Sequence, residues 1–159
     1  MKKLIYILVL PLFIFNCSKS DDDNLKTPVD DNLNTTFLEK YEGTVWISSE
    51  LDVTSYIRFI NNLNTPLENW IDMTDCYYYY LQTLYEGDTL SENSNDTLEF
   101  RYAESDEGVE YLDIITLTAS GNTIEAEYKY YEDGDLYESG KLYLSKSSID
   151  VDGFILCDD

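Results

Sequence analysis

Residues 109–131 read VEYLDIITLTASGNTIEAEYKYY, and apolar or aromatic side chains occupy alternate positions in both halves of this stretch. The first half contributes Val109, Tyr111, Ile115 and Leu117, and the second half contributes Ile124, Ala126, Tyr128 and Tyr130. A period of two residues is typical of β-strands that bury one face. A turn centred on Ser120-Gly121 that sets Leu117 opposite Ile124 keeps the two apolar faces together. The stretch therefore predicts an antiparallel β-hairpin with one buried face.

The turn at residues 132–134 decides which face of the following strand is buried. A two-residue Asp133-Gly134 loop would pair Tyr130 with Tyr137 and direct the later leucines to the polar face. A three-residue loop with a left-handed glycine pairs Tyr130 with Leu136 instead. This second register also predicts the pairs Ile124–Leu142 and Glu125–Lys141. Because a slip of one residue moves every side chain to the opposite face, burial favours the three-residue loop.

Short segments with the same alternation recur from Gly43 to the C-terminal end. The candidate strands are 44–49, 55–61, 69–73, 76–83, 97–103, 109–119, 123–131, 136–145 and 149–156. Before them, residues 37–41 predict one short helical turn. We therefore expect an all-β domain over residues 37–159, an antiparallel up-and-down meander of about eight strands. Such a sheet buries its apolar face by closing into a barrel or by stacking as a sandwich, and short sequential connections favour the barrel.

The net charge of −22 and the absence of histidine restrict the possible functions. Nucleic acids and anionic lipid surfaces require clustered Lys and Arg, and this chain has ten such residues in all. Without histidine, imidazole-based triads and histidine-containing zinc sites are ruled out. The 32 acids offer carboxylate pairs for glycoside hydrolysis, but nothing singles out one pair. We expect a non-catalytic monomer with no metal, no cofactor and no nucleic-acid partner.

Three cysteines divide into one near the N-terminus, Cys17, and two within the domain, Cys76 and Cys157. In an exported protein the two domain cysteines either pair or remain as separate buried thiols. We predict the disulfide Cys76–Cys157. Two acidic turns, residues 133–135 and 150–153, carry fragments of a calcium loop, but neither continues into the full ligand spacing, so no dedicated calcium site is predicted.

Residues 1–16 have the parts of a secretory signal peptide. Lys2 and Lys3 precede the apolar run Leu4–Phe15. As a helix this run would rise about 18 Å, well short of a hydrocarbon core of roughly 30 Å, so a signal peptide is favoured over a spanning helix. Residues 17–36 are polar and acidic, which predicts a flexible tether ahead of the domain.

Residues 14–17, IFNC, resemble a bacterial lipobox, in which the cysteine becomes the lipidated first residue. The CSKSDDD that begins at Cys17 is similar to the acidic stretch after the anchor in Bacteroidetes-type lipoproteins, where it is associated with transfer to the cell surface. The resemblance implies acyl chains on Cys17, an outer-membrane location and exposure at the cell surface. An ordinary secreted protein with an acidic linker is the alternative. Thr89 and Thr97 each follow Asp and precede Leu, similar to a short O-glycosylation motif of such exported proteins.

Residues 37–46, FLEKYEGTVW, resemble the entrance to lipocalin-like (calycin) domains, where a short turn precedes a glycine and a tryptophan on the first strand. Here two residues separate Gly43 from Trp46, where the lipocalin signature has one. Residues 148–157 stand in place of the terminal lipocalin helix, and we expect a last strand held by Cys157. The resemblance implies a barrel that binds a small apolar or amphipathic ligand. Its implied lining is Trp46, Tyr102, Tyr111, Asp113, Tyr128 and Tyr130. The alternative is a β-domain with a solid core that contacts a protein or glycan through its surface.

Asp113 is the polar exception on the apolar face of its strand, expected opposite Tyr128 and beside Leu98. An isolated buried carboxylate is costly, so it should lie at an open end of the sheet, bond a tyrosine, or line a hydrated cavity. The run Tyr77–Tyr80 should divide between the two faces of a strand. It could form an aromatic platform for a flat ligand, but packing on both faces is the expected role.

Overall fold

The computed structural model describes residues 35–48 and 53–158. The strands are β1 Val45–Ser48, β2 Ser55–Phe59, β3 Leu67–Asp72, β4 Tyr77–Gln82, β5 Thr89–Asn93, β6 Thr97–Asp106, β7 Val109–Ser120, β8 Thr123–Glu132 and β9 Asp135–Ser147. A short helix, α1 (Phe37–Tyr41), precedes them, and a 3-10 turn, Val151–Gly153, follows them. The predicted signal peptide, Cys17 and the tether to residue 34 lie outside the described residues. Neither described helix has the length and apolarity needed to cross a membrane.

The nine strands form one antiparallel sheet in the order β4-β3-β2-β1-β9-β8-β7-β6-β5. Every strand pairs with a neighbour in sequence, and β1 also pairs with β9. In the described part of the chain β4 and β5 do not pair, so the sheet is open. The predicted all-β antiparallel meander is confirmed, whereas the predicted closure into a barrel is wrong.

The connection between β4 and β5 is held by contacts with other parts of the domain. Leu84, in the middle of this connection, packs against the main core, and its N–H donates to the Asn64 carbonyl at 2.9 Å. The connection is therefore fastened to the main core and to the loop between β2 and β3. Next to it, β5 is interrupted by a bulge between Leu90 and Glu92, and bulges of this kind end strand pairing at edges. β5 was not predicted because Leu90 is its single apolar residue.

The β7–β8 hairpin has the predicted faces but a different register. Its loop is the two residues Gly121-Asn122, because Ser120 pairs with Thr123. Ile124 therefore lies opposite Ala119 rather than opposite Leu117. The predicted pairing is wrong by two residues, and an even shift leaves every side chain on the face that alternation assigned to it.

The β8–β9 hairpin combines the two-residue loop, which burial had disfavoured, with a bulge in β9. Its loop is the two-residue Asp133-Gly134, with φ values of 49° and 84° at the two positions. The register then shifts between Tyr130 and Tyr131, so that Tyr130 pairs with Glu138. The extra residue thus sits in β9 as a bulge at Tyr137, and the predicted three-residue loop is wrong. The resulting pairs include Ile124–Leu144 and Glu127–Lys141 in place of the two predicted ones, although Lys141 Nζ still bonds Glu125 Oε1 diagonally at 2.5 Å.

The main core lies on one face of the sheet, here called the inner face, and α1 packs against it. The sheet curls so that side chains from β2 and β3 meet those from β6 to β9. The buried members are Phe37, Leu38, Tyr41, Trp46, Phe59, Leu67, Leu98, Phe100, Leu117, Ala119, Ile124, Ala126 and Leu144. Thr36 and Glu39 form a reciprocal capping box at the start of α1, which confirms the predicted helical turn. The Leu38 N–H donates to Asn93 Oδ1 at 3.1 Å and ties the helix to β5.

A smaller core covers the opposite, outer face of β1 to β4. Val45, Tyr56 and Trp70 are buried there beneath Val151 of the C-terminal segment. Phe154 stacks on Tyr77 with ring centroids 3.7 Å apart. The segment is not the predicted strand at 149–156, because only an isolated bridge joins Leu156 to Tyr77.

The disulfide between Cys76 and Cys157 is present and holds the C-terminal segment beside β4. It links residues 81 positions apart in sequence. The Tyr77 N–H donates to the Ile155 carbonyl and the Cys157 N–H donates to the Tyr77 carbonyl, at 2.8 and 3.0 Å. The segment therefore also occupies the start of the free edge of β4, where unpaired backbone groups would otherwise face solvent.

Candidate functional site

An open pocket of about 750 Å³ lies on the inner face, at the opposite ends of the strands from α1. Five of its lining residues are acids: Glu86, Asp88, Glu104, Asp106 and Asp113. Four are tyrosines: Tyr85, Tyr102, Tyr111 and Tyr130. The remaining three are Gln82, Thr83 and Ala103. These twelve residues define what we call the open pocket, whose volume is within the usual range for small-molecule sites.

Three adjacent strands place the central row of the open pocket. Tyr102 on β6 pairs with Asp113 on β7, which in turn pairs with Tyr130 on β8. Residues directly opposite one another project to the same face, so the carboxylate lies between two phenol rings. The predicted position of Asp113, opposite Tyr128 and beside Leu98, is therefore wrong by the same two-residue shift as the hairpin. Asp113 is exposed and lines the open pocket towards the free ends of these strands, so the open-end and cavity settings both apply, whereas no hydrogen bond joins it to a tyrosine in the described residues.

Tyr111 extends the aromatic wall by one more row. Its ring is nearly parallel to that of Tyr130, with an interplanar angle of 7° and centroids 6.2 Å apart. Tyr137, the bulged residue of β9, meets the same Tyr130 ring edge-on at 5.7 Å. The pocket wall thus presents both faces and edges of phenol rings, which suit apolar and cationic groups.

Two ionisable side chains of the open pocket, Asp113 and Tyr102, have raised pKa values. Partial burial raises the pKa of the Asp113 carboxyl above its usual value. Burial also raises the pKa of the Tyr102 hydroxyl, and the nearby Asp88, Tyr80 and Asp113 raise it further. Tyr102 therefore stays a neutral hydrogen-bond donor over the physiological pH range, and Asp113 pays a desolvation cost that a bound partner could relieve.

Four of the six predicted lining residues meet in the open pocket: Tyr102, Tyr111, Asp113 and Tyr130. Trp46 does not, because its ring is fully buried in the main core. Its Nε1 donates to Thr44 Oγ1 at 2.9 Å, and its ring contacts Tyr41 edge-on at 5.7 Å. The tryptophan therefore plugs the end of the sheet rather than lining a cavity.

Tyr128 also lies outside the open pocket, although it shares the inner face. Its ring covers Gly140, where an added Cβ would come within 2.5 Å of the ring. Its hydroxyl donates to Glu138 Oε1 at 2.9 Å, which turns the ring along β9 and away from Asp113.

The sequence analysis missed the wall formed by the β4–β5 connection, which supplies Tyr85, Glu86 and Asp88. Residues 83–88 show no alternation and no recognisable motif, so nothing in the sequence placed them opposite β6. Their fold is local, with the Tyr85 N–H donating to Asp88 Oδ2 at 2.9 Å. Only the curl of the sheet brings this connection over the inner face.

The tyrosine run of β4 divides between the two faces as predicted. Tyr78 and Tyr80 lie on the inner face, with ring centroids 6.2 Å apart. Tyr77 packs in the outer core, and Tyr79 donates its hydroxyl to Glu68 Oε1 at 2.9 Å. Tyr77 therefore has a packing role, Tyr79 and Tyr80 are each 37% exposed, and Tyr78 is the most exposed of the four at 53%.

The acidic turns that carry calcium-loop fragments have structural partners. Asp150 Oδ1 accepts the Asp152 N–H at the start of the 3-10 turn, and Asp152 pairs with Arg58 at 2.7 Å. Asp133 Oδ1 accepts the Glu110 N–H at 3.0 Å. In residues 35–48 and 53–158, no group of three or more acids or cysteines is arranged to hold a metal ion.

Comparison with known proteins identifies no relative. No family model, no curated protein and no solved structure matches this chain.

Proposed function

We propose that this protein is a lipid-anchored surface lipoprotein whose β-domain binds a small amphipathic ligand in the open pocket, without catalysis. The observation that carries the proposal is the row Tyr102–Asp113–Tyr130, which sets a carboxylate between two phenol rings at the wall of a cavity. Aromatic faces give a ligand apolar contact, and the few polar groups fix its orientation. A lining with this many carboxylates favours an amphipathic ligand over a purely apolar one.

The anchoring part of the proposal rests on the lipobox-like residues that end at Cys17 and on the acidic stretch after it. Two or three acyl chains hold a protein on a membrane where one chain does not. The tether would then hold the open pocket outside the lipid, on the cell-surface side of the outer membrane.

The lipocalin-like part of the proposal rests on the strand order. The first and last strands pair, as they do in an up-and-down barrel, and α1 with Trp46 plugs one end. A single missing strand pair, β4 with β5, separates this sheet from closure. We interpret the domain as an opened barrel whose gap gives access to the open pocket.

Native mass spectrometry of the protein purified from its own host tests the ligand directly. We expect a co-purifying small molecule that is lost from the double variant Tyr102→Ala/Tyr130→Ala. Tyr143→Ala is the matched control, because Tyr143 is exposed and lies on the outer face of β9. Retention of the molecule by the double variant, or its absence from repeated preparations, would contradict the proposal.

The solid core around Trp46 favours a second candidate, an interaction domain that binds a protein or glycan through its surface. Its candidate surface is the exposed inner side of β4 at Tyr78 and Tyr80, which are 53% and 37% exposed. Loss of partner capture in Tyr78→Ala/Tyr80→Ala, with the pocket variants unaffected, would favour this candidate.

A further inference from the structure

The carboxylates of the open pocket have no basic partners in the described part of the chain. The six ion pairs found there involve Asp96, Glu68, Asp152, Glu99, Glu127 and Glu125, none of which lines the pocket. Five of the six described basic residues are committed to those pairs. The sixth, Lys146, lies opposite Trp46 in the backbone pairing of β1 with β9. This is the α1 end of the sheet, at the far end of the strands from the pocket. Within residues 35–48 and 53–158, no basic side chain therefore compensates the negative charge of the pocket.

These carboxylates converge from separate segments of the chain. Glu86 and Asp88 come from the β4–β5 connection, Glu104 and Asp106 from the end of β6, and Asp113 from β7. Low-dielectric walls around charges of one sign concentrate the field inside a cleft. Such a cleft attracts a cation and repels an anion.

The tyrosines add a second and independent preference for positive charge. The face of a phenol ring attracts an ammonium group placed within about 6 Å of its centre. The parallel rings of Tyr111 and Tyr130, 6.2 Å apart, flank the Asp113 position. An ammonium group near Asp113 would meet a carboxylate and ring faces together, while its apolar body lies along the tyrosine wall.

We propose that the ligand of the open pocket is an organic cation, an amine or quaternary ammonium group carried on an apolar body. This inference rests on the proposed function and specifies the chemistry of its ligand. Asp113 is the central counter-charge, Tyr102 and Tyr130 are the walls on either side of it, and Glu104 reinforces the field from the neighbouring row.

Three probes with one tail and different head groups test the charge preference. Decyltrimethylammonium, decyl maltoside and decyl sulfate are each titrated calorimetrically, below their critical micelle concentrations, into the mature chain carrying Cys17→Ser. The titrated protein is the predicted mature chain, residues 17–159, which lacks both the apolar signal segment and, through Cys17→Ser, the proposed acylation site, so no other detergent is needed. We expect saturable 1:1 binding of the cation at least tenfold tighter than that of the maltoside, and no measurable binding of the sulfate.

Two neutralising substitutions locate the site. Asp113→Asn should weaken binding of the cation about fivefold to tenfold and leave the maltoside unaffected, and Glu104→Gln should act in the same direction. The matched control is Asp75→Asn, in the exposed β3–β4 turn outside the pocket, which should leave both affinities unchanged.

The possible failures separate the two proposals. Maltoside binding as tight as that of the cation would overturn the cationic ligand and leave amphipathic binding standing. Equal losses in Asp75→Asn and Asp113→Asn would show diffuse attraction to an acidic surface and would also overturn it. Absence of saturable binding by all three probes would overturn both this inference and the proposed function.

Discussion

Asp113 sits between Tyr102 and Tyr130. Its pKa is raised, whereas a carboxylate in a surface ion pair has a lowered pKa. Burial raises its pKa above the ordinary value of 3.8, so the folded state binds the proton more readily than the unfolded chain. The ionised form therefore opposes folding at neutral pH, and the effect disappears once the pH falls below the unfolded pKa. This desolvation cost accompanies the placement of a carboxylate in the wall of the open pocket.

Replacing this carboxylate should stabilise the protein in a pH-dependent way. We expect Asp113→Asn to unfold in urea with a higher free energy than the wild type at pH 7, by less than about 1 kcal/mol given its solvent exposure. The difference should vanish near pH 3. Asp75→Asn is the control, because it measures how much the loss of any one exposed negative charge stabilises this acidic chain. Equal gains from the two variants at pH 7 would contradict a specific desolvation of Asp113.

Gly140 leaves room for the ring of Tyr128, which lies over it. An added Cβ would come within 2.5 Å of the ring and 2.7 Å of its hydroxyl. Gly140→Ala should therefore displace the ring from its bond to Glu138 and cost roughly 1 kcal/mol of unfolding free energy. In a Tyr128→Ala background the same substitution should be neutral or stabilising, since alanine suits a strand better than glycine. Additive effects in this double-mutant cycle, measured by urea unfolding, would show that the two residues do not interact.

The C-terminal segment is the element whose stability depends most on one bond. The disulfide Cys76–Cys157 holds it over the outer core, where Val151 and Phe154 cover Tyr56. Two backbone hydrogen bonds to Tyr77 assist, but an edge contact of this length does not hold by itself.

Removing the disulfide should therefore cost the domain about 2–4 kcal/mol of unfolding free energy. The variant Cys76→Ala/Cys157→Ala, compared with wild type by urea unfolding, gives this difference. Hydrogen exchange should show the Tyr77 and Cys157 amides losing protection while the β7–β8 hairpin keeps its own. Reductant should destabilise the wild type and leave the double variant unchanged. An unaltered urea midpoint would mean that packing alone holds the segment.

At the scale of the whole molecule, the proposed anchor decides where the open pocket operates. We expect a clickable fatty acid fed to the host to label the wild-type protein, and Cys17→Ser to abolish the label. Cys76→Ser is the matched control and should retain the label, because it lies in the domain. Labelling that persists in Cys17→Ser would contradict the lipoprotein assignment.

The net charge of −22 also acts on the molecule as a whole. Six ion pairs in the described residues cannot offset this excess, so the folded state carries net self-repulsion. Raising NaCl from low to physiological strength should therefore raise the thermal midpoint by about 2–4 °C, or roughly 1 kcal/mol. Differential scanning calorimetry at two salt concentrations measures this change in the thermal midpoint. A falling midpoint would show that the ion pairs outweigh the repulsion.

The faces of the long strands could be predicted from sequence because alternation depends only on the geometry of the extended chain. Leu98, Leu117, Ile124 and Leu144 all reached the core that their positions indicated. The β8–β9 register could not be predicted, because a two-residue loop with a bulge at Tyr137 and a three-residue loop without one give the same faces from Glu138 onward. They differ at Leu136, which was expected opposite Tyr130 but pairs with Tyr131 and is 54% exposed. Local turn chemistry chose between them, and alternation cannot distinguish them.

The sequence by itself determined the strand class, the short helix before Trp46, the cysteine pair and the four residues Tyr102, Tyr111, Asp113 and Tyr130 that share one face. Only the tertiary structure decided that the sheet stays open and that residues 83–88 form the facing wall. The physical reason is that pairing within a hairpin follows from neighbouring residues. The curl of a nine-stranded sheet, by contrast, follows from packing between β2, β3 and β6, whose residues are far apart in the chain.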